Sequence, residues 1–219
     1  DLVSGGPPCQ SFSLAGLRDR NNDRNELPWE FARFVRMVRP KIALLENVSG
    51  ILRPFEEDGS QYFAWFEVAK AFAEVGYVPL CLHINAKYVG TAQNRPRFIM
   101  IALRLSVYRS IKKNCNDQGL IDLLQPSYEL YRSVRAGRDP ACESLPCYDV
   151  EKNRELFYGS ILQPLISDVE QLSSVEDALD DLRLEGVEES AYVGRINNSY
   201  VNRYNRVADK QGNHELRNN

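Results

Sequence analysis

Three observations predict that this chain folds as an α/β protein. Apolar runs of strand length alternate with stretches whose apolar residues recur at helical spacing. Their order is strand, helix, strand, helix, strand, the signature of a parallel sheet flanked by helices. Breakers separate the runs: Gly5-Gly6-Pro7, Pro40 and Gly76.

Each element has its own signal. Asp1 to Gly5 is a short strand, and Ser11 to Asn25, polar and rich in Arg and Asn, is a long loop. Leu27, Phe31, Phe34, Val35 and Val38 recur at helical spacing, with Pro40 just beyond the last turn. Ile42 to Leu45 is a continuous apolar strand that ends at Glu46-Asn47-Val48. A second helix is expected from about Ser60 to Val75, with Phe63, Phe66, Val68, Ala71 and Phe72 as its apolar positions and Gly76 as its cap. Val78–Asn85 and Phe98–Leu103 are strands, joined through Gly90 to Pro96. Beyond Arg104 the pattern weakens to short helices near Ser106–Lys113, Leu120–Leu124 and Val175–Leu184, with Leu120–Tyr131 as packing surface. This divides the chain into a 1–103 α/β core and a 104–219 irregular, partly helical insertion and connector.

Composition narrows the class. Hydrophobic content of 43% and charged content of 26% are ordinary for a globular protein, and no run approaches a membrane span. The five cysteines are irregularly spaced and no secretion leader precedes them, which predicts reduced thiols and a cytoplasmic protein. Cys142 and Cys147 lack a second ligand pair, so no metal site is expected. The net charge is −3, but residues 143–189 hold 13 Asp/Glu against 3 Lys/Arg, a local −10 that leaves +7 on the remainder. The favoured reading is one acidic solvated insertion on a mildly basic domain; the basic remainder is compatible with a phosphate-backbone partner but does not show one. From Tyr192 the chain turns basic, with Arg195, Arg203, Arg206 and Lys210 around Tyr200 and Tyr204, which suits a nucleic-acid-facing segment or an exposed polar connection.

Three islands carry chemistry: Pro7-Pro8-Cys9-Gln10, Glu46-Asn47-Val48 and Gln93-Asn94-Arg95-Pro96-Arg97. Glycines let the backbone turn sharply after the first strand and prolines stiffen it, which presents Cys9 as a thiolate. In parallel α/β sheets, chemistry lies beyond the carboxyl ends of strands, where Cys9 and Glu46 both fall. A thiolate adds to an electron-poor carbon, a carboxylic acid protonates a ring nitrogen, and a guanidinium grips a carbonyl oxygen. Cytosine offers C6, N3 and O2 for these three groups, and addition at C6 makes C5 nucleophilic toward a methyl group. Each residue also has a plain structural reading: a small buried Cys, a carboxylate in an ion pair, arginines on a sheet edge.

The three islands resemble the motifs of bacterial-type DNA (cytosine-5) methyltransferases. The Pro-Pro-Cys-Gln motif matches Pro7–Gln10, Glu-Asn-Val matches Glu46–Val48, and Gln-x-Arg-x-Arg matches Gln93, Arg95 and Arg97. Glu26–Phe31 and Arg39-Pro40-Lys41 also fit the family, as do Ser174–Leu182 and Asn213-His214 more loosely. The resemblance implies part of a Rossmann-like S-adenosylmethionine-dependent sheet. It makes Cys9 the nucleophile, Glu46 the N3 acid, Arg97 the O2 ligand and Arg95 its support. Pro8, Gln10, Asn47 and Gln93 fall on the substrate side, with Asn47 also supporting the turn beyond Glu46. Leu27 is the one cofactor contact carried over. Ser11–Asn25 becomes the loop that closes over a flipped base, since a duplex hides C5 and C6 in the stack.

The resemblance further implies double-stranded DNA as substrate, a monomer, and a possible cognate restriction endonuclease. The family's glycine-rich cofactor motif is expected upstream of Asp1 and its late motifs downstream of Asn219, so the chain is read as a fragment. Alternatives are a tRNA cytosine-C5 methyltransferase, disfavoured by Ser11-Phe12-Ser13 and the long segment past 104, and a non-catalytic or split-subunit DNA-binding module. Thymidylate-synthase-like chemistry expects His where Gln10 stands.

Overall fold

The computed structural model describes residues 1–7, 26–57, 59–89 and 91–166. Pro8, Cys9, Gln10, the expected closing loop 11–25, the expected helix at 175–184 and the basic segment from Tyr192 lie outside the described residues. Two compact units are present, one of Asp1–Ile84 with Pro96–Gln163 and the other of Asn85–Arg95 with Pro164–Asn219.

The first unit is built on a mixed sheet with helices. Its strands are β1 (Leu2–Gly5), β2 (Ile42–Val48), β5 (Tyr77–Asn85), β6 (Pro96–Arg104) and β7 (Cys147–Asp149), in the order β1-β2-β6-β5-β7. β1 and β2 are parallel, as are β5 and β7, but β6 runs antiparallel to β2. The sheet is therefore mixed, parallel at β1–β2 and β5–β7 and antiparallel at β2–β6. Only residues 86–95, with one short 3-10 turn at Ala86–Val89, join β5 to its neighbour β6. A parallel crossover needs a dozen or more residues, usually a helix.

The strand β2 alternates strictly: Ala43, Leu45 and Asn47 are buried, while Ile42, Leu44, Glu46 and Val48 are half-buried. Its apolar run thus covers one face fully rather than both. Against that face pack α1 (Leu27–Val38) and α2 (Ala64–Glu74), whose Ala32, Val35, Trp65, Phe66, Val68 and Phe72 share one core with Leu45, Phe98 and Met100. Trp65 meets Phe98 at 6.4 Å between ring centroids, and Phe72 meets Phe31 at 6.0 Å.

The buried stripe of α1 is Pro28, Ala32 and Val35; Phe34 and Val38, expected in the core, are about half exposed. Pro28 in the first turn suits the helix start, where no backbone N–H is needed. Residues Ser60–Tyr62, read as helix from the sequence, form β4, paired antiparallel with β3 (Phe55–Glu57). Gly59 at φ +78° closes that turn, and the Phe55 and Tyr62 rings pack at 6.4 Å.

Past Arg104 the order is greater than the sequence pattern suggests. Helix α3 (Leu105–Asn114) occupies the expected stretch, and α4 runs the full Gln118–Arg135, through Pro126. Leu123, Leu124, Ser127 and Leu130 form the buried stripe of α4, which packs on α2. The Asp117 carboxylate caps α4, accepting from Leu120 N at 2.8 Å and from Ile161 N at 2.7 Å. Residues on both sides of position 104 thus share one core. No described helix is long and apolar enough to cross a membrane.

Candidate active site

Strand directions decide what meets at the functional end of the sheet. β1 and β2 are parallel with Gly5 opposite Leu45, so both finish at the same end. β6 is antiparallel to β2 and therefore begins there. Had β6 run parallel, Arg97 would sit at the far end of a strand of this length, roughly 20 Å away. Instead Val48 pairs with Arg97 and Glu46 with Ile99, which makes Glu46 and Arg97 diagonal neighbours on one face.

They form an ion pair, Arg97 Nε to Glu46 Oε1 at 2.7 Å, and Arg97 Nη1 also donates to its own neighbour's carbonyl, Pro96 O, at 2.9 Å. The Arg97 side chain is 22% exposed and that of Glu46 42%. A pair this open contributes only about 0–1 kcal/mol to folding. The plain reading of Glu46 as an ion-paired carboxylate is realised, and its partner is the arginine that the chemistry requires.

The turn leaving β1 closes on the same carboxylate. A Cβ placed on Gly6 would lie 3.0 Å from Glu46 Oε2, so the backbone here passes directly over the acid. At Gly5 a Cβ would come within 2.7 Å of the Phe31 ring, which lets α1 seat against the end of β1. Both glycines are needed for close approach.

Asn47 points the other way. It is buried, 3% exposed, and its Nδ2 donates to Pro7 O at 3.3 Å while its Oδ1 accepts from Val48 N at 2.8 Å. Its amide is engaged on both sides by backbone. It therefore fastens the end of β2 to the segment that leads into Cys9. The polar side chain at an otherwise apolar alternating position of β2 was the signal for this anchor.

Gln93 and Arg95 belong to the other unit. They are exposed on a loop whose base is held by Asn85, a residue the motifs do not single out. Asn85 Oδ1 accepts from Arg95 N at 3.0 Å, its Nδ2 donates to Asn94 Oδ1 at 2.7 Å, and Ala86 N donates to Arg95 O at 3.3 Å. Leu27, half-buried, opens α1.

Three other cysteines are set against nucleophilic work. Burial pushes the Cys81 thiol well above its ordinary value. Burial, with Glu143 beside it, takes Cys142 to about 11, and burial with Asp149 takes Cys147 to about 12. A thiol held that high supplies almost no thiolate at neutral pH.

The family model for C-5 cytosine-specific DNA methylases matches residues 1–211. The chain belongs to that family. Among curated relatives, it is 33% identical over 156 residues to the type II methyltransferase M.DdeI of Desulfomicrobium norvegicum, covering 71% of this chain and 35% of that protein. It is 34% identical over 137 residues to M1.HphI of Haemophilus parahaemolyticus, covering 61% and 32%. Against M.NgoPII of Neisseria gonorrhoeae it is 34% identical over 165 residues, covering 73% and 46%. The chain spans about a third of the length of the first two of these relatives.

For the family's methyl donor, S-adenosylmethionine, the described residues offer little. Leu27 would contribute apolar surface at the start of α1, and the space beside Gly5 and Gly6 is taken by Phe31 and Glu46 rather than left as a cradle. The described residues do not make up a cofactor pocket.

Proposed function

We propose that this chain carries the base-binding and nucleophilic part of a DNA cytosine-C5 methyltransferase. The observation that supports it most strongly is the Glu46–Arg97 pair set against the Gly6-Pro7 turn that leads to Cys9. With a flipped cytosine in place, the carboxyl of Glu46 faces N3 and the exocyclic amine, and the guanidinium of Arg97 turns to O2. These two edges of the base present what each side chain can bind, so the pair is held ready and re-partners on the ligand.

The Cys9 sulfur then forms a bond to C6. The C5–C6 electron pair shifts to C4–C5 and the C4–N3 pair to N3, which takes a proton from Glu46, leaving C5 electron-rich. S-adenosylmethionine, when bound, would supply the methyl group that C5 accepts and would leave as S-adenosylhomocysteine. N3 then returns its proton to Glu46, a solvent base takes the C5 proton, and the freed C–H pair restores the C5–C6 double bond as the Cys9 thiolate departs.

Arg95 supports the O2 contact, Pro8 offers its backbone to the base, and Gln10 and Gln93 lie on the substrate side. Asn47 fixes the approach of the Cys9 segment to Glu46. The substrate on this reading is double-stranded DNA, with the protein acting as a monomer in the cytoplasm. The relatives' designation as type II methyltransferases supports a modification role beside a cognate restriction endonuclease. Incubating the protein with duplex DNA and with tRNA, each with labelled S-adenosylmethionine, tests the substrate. Label in 5-methylcytosine of the duplex is expected; label confined to tRNA would overturn it.

A further inference from the structure

At the opposite end of β6 from Arg97, roughly 24 Å along the strand, lies a second polar concavity. It is a cleft of about 590 Å³ whose charged lining is Arg39, Arg104 and Arg109, joined by Tyr77, Tyr131 and Ser106. No carboxylate lines it, and among the described residues none lies within ion-pair distance of these three arginines. Three arginines lining one cleft with no carboxylate beside them among the described residues make a local positive field that favours an anion.

The arginines are held by different means. Arg104 is fixed, its Nε donating to Ser106 Oγ at 3.1 Å and its Nη1 to Arg39 O at 3.0 Å. Arg39 caps α1 at φ 54°, the only non-glycine residue at positive φ among those described. Glycine is the ordinary residue for such a cap, so the sequence accepts backbone strain to place a guanidinium there. Arg109, exposed, projects from the first turns of α3.

Tyr131 adds an aromatic wall. It is the end member of a near-parallel row, Tyr108 on Tyr128 at 4.5 Å and Tyr128 on Tyr131 at 6.1 Å, with interplanar angles of 19° and 14°. A planar base can extend such a row. The volume falls in the range of small-ligand pockets, and a concavity of this size suits a compact anion better than a duplex backbone.

We propose that this cleft binds a small phosphate-bearing ligand of nucleotide size, with the three guanidiniums on its phosphates and Tyr131 against its base. The site lies away from the Glu46–Arg97 end and does not depend on the methyl-transfer reading.

Calorimetric titration of the full chain with ADP, inorganic pyrophosphate and adenosine tests it. ADP or pyrophosphate is expected to bind with one-to-one saturation, and adenosine is not. Arg39→Gly removes the guanidinium while supplying the residue that the cap geometry prefers, and Arg109→Ala alters only an exposed position. Each is expected to weaken binding about 10- to 100-fold, the loss of one charge-assisted phosphate contact. Tighter ADP binding that Tyr131→Leu reduces to the pyrophosphate level identifies a nucleotide. Equal affinities insensitive to Tyr131→Leu identify free phosphate as the source, with the arginine site upheld. No saturable binding of either anion, undiminished binding in both arginine variants, or binding seen only with duplex DNA would overturn the proposal.

Discussion

Replacing Asn47 separates an anchoring role from a substrate-binding one. Asn47→Ala removes a 2.8 Å bond to Val48 N and a longer 3.3 Å bond to Pro7 O from a position that is 3% exposed. A made hydrogen bond is worth about 1 kcal/mol net, and a buried group left unpaired costs about 1–3 kcal/mol. The longer bond stands at the weak end of that scale, so the expected loss is about 1–3 kcal/mol. With a urea dependence of about 1–3 kcal/mol per molar, the unfolding midpoint should fall by roughly 1 M.

Asn47→Asp is the sharper probe. It keeps the acceptor for Val48 N but turns oxygen lone pairs toward the Pro7 carbonyl and buries a charge. It should destabilise more than alanine at neutral pH. As the pH falls the buried carboxyl takes up a proton and can donate to Pro7 O, so the deficit should shrink in acid. Urea titrations of wild type, Asn47→Ala and Asn47→Asp at neutral and acid pH provide the comparison. An aspartate variant as stable as wild type at neutral pH, or milder than alanine, would refute the anchor.

Other expectations rest on separate contacts. Gly5→Ala drives a Cβ to 2.7 Å from the Phe31 ring and should cost about 1–3 kcal/mol of stability, read by thermal melting. Gly6→Ala meets the Glu46 carboxylate at 3.0 Å and the Glu46 backbone oxygen at an ordinary 3.9 Å, and should leave the melt nearly unchanged while lowering cytosine-adduct formation. Arg97→Ala removes a half-open ion pair and should move stability by about 0–1 kcal/mol; a much larger loss would mark Arg97 as a folding residue.

The Asp149 carboxyl is pushed up by burial but more strongly held down by the His83 hydrogen bond and the Lys152 and Glu151 amides, so it ionises below its ordinary 3.8. A depressed carboxyl stabilises the fold above its unfolded pKa, and this contribution fades as pH falls below about 4. The stability gap between wild type and Asp149→Asn should close over that window; a gap constant from pH 5 to 2 would contradict it. Brief iodoacetamide treatment at pH 7, mapped by mass spectrometry, should leave Cys81, Cys142 and Cys147 unlabelled in the folded chain.

What could be read from the residues follows from which physical signals are local. The ends of β1 and β2 and nearly the whole of α1 follow from apolar periodicity bounded by glycine and proline. The direction of β6 carries no local signal; the described residues of the 86–95 connection hold one 3-10 turn, Ala86–Val89. The chemistry already required Arg97, at the start of one strand, to meet Glu46, at the end of another, and only an antiparallel pair allows that. Ser60–Tyr62 looked helical because Phe63 and Phe66 continue the pattern, while the turn at Gly59 cuts it. Helix α4 was underread because Pro126 and a polar surface mask a stripe that is apolar only at Leu123, Leu124 and Leu130. The partner of the Asn47 anchor and the Gly6 approach depend on through-space packing between segments 40 residues apart; the one local hint was a polar side chain at an apolar alternating position of β2.

Covalent trapping tests most directly whether the Cys9 sulfur is the atom that joins the cytosine. The protein, S-adenosylmethionine and duplex DNA carrying 5-fluorocytosine at the target should give a denaturation-resistant protein–DNA adduct, because fluorine at C5 blocks the final elimination. The adduct should vanish in Cys9→Ala and fall sharply in Glu46→Gln, and peptide mapping should place the bond on Cys9. No adduct from the wild-type protein, or one of equal yield in Cys9→Ala, would contradict it.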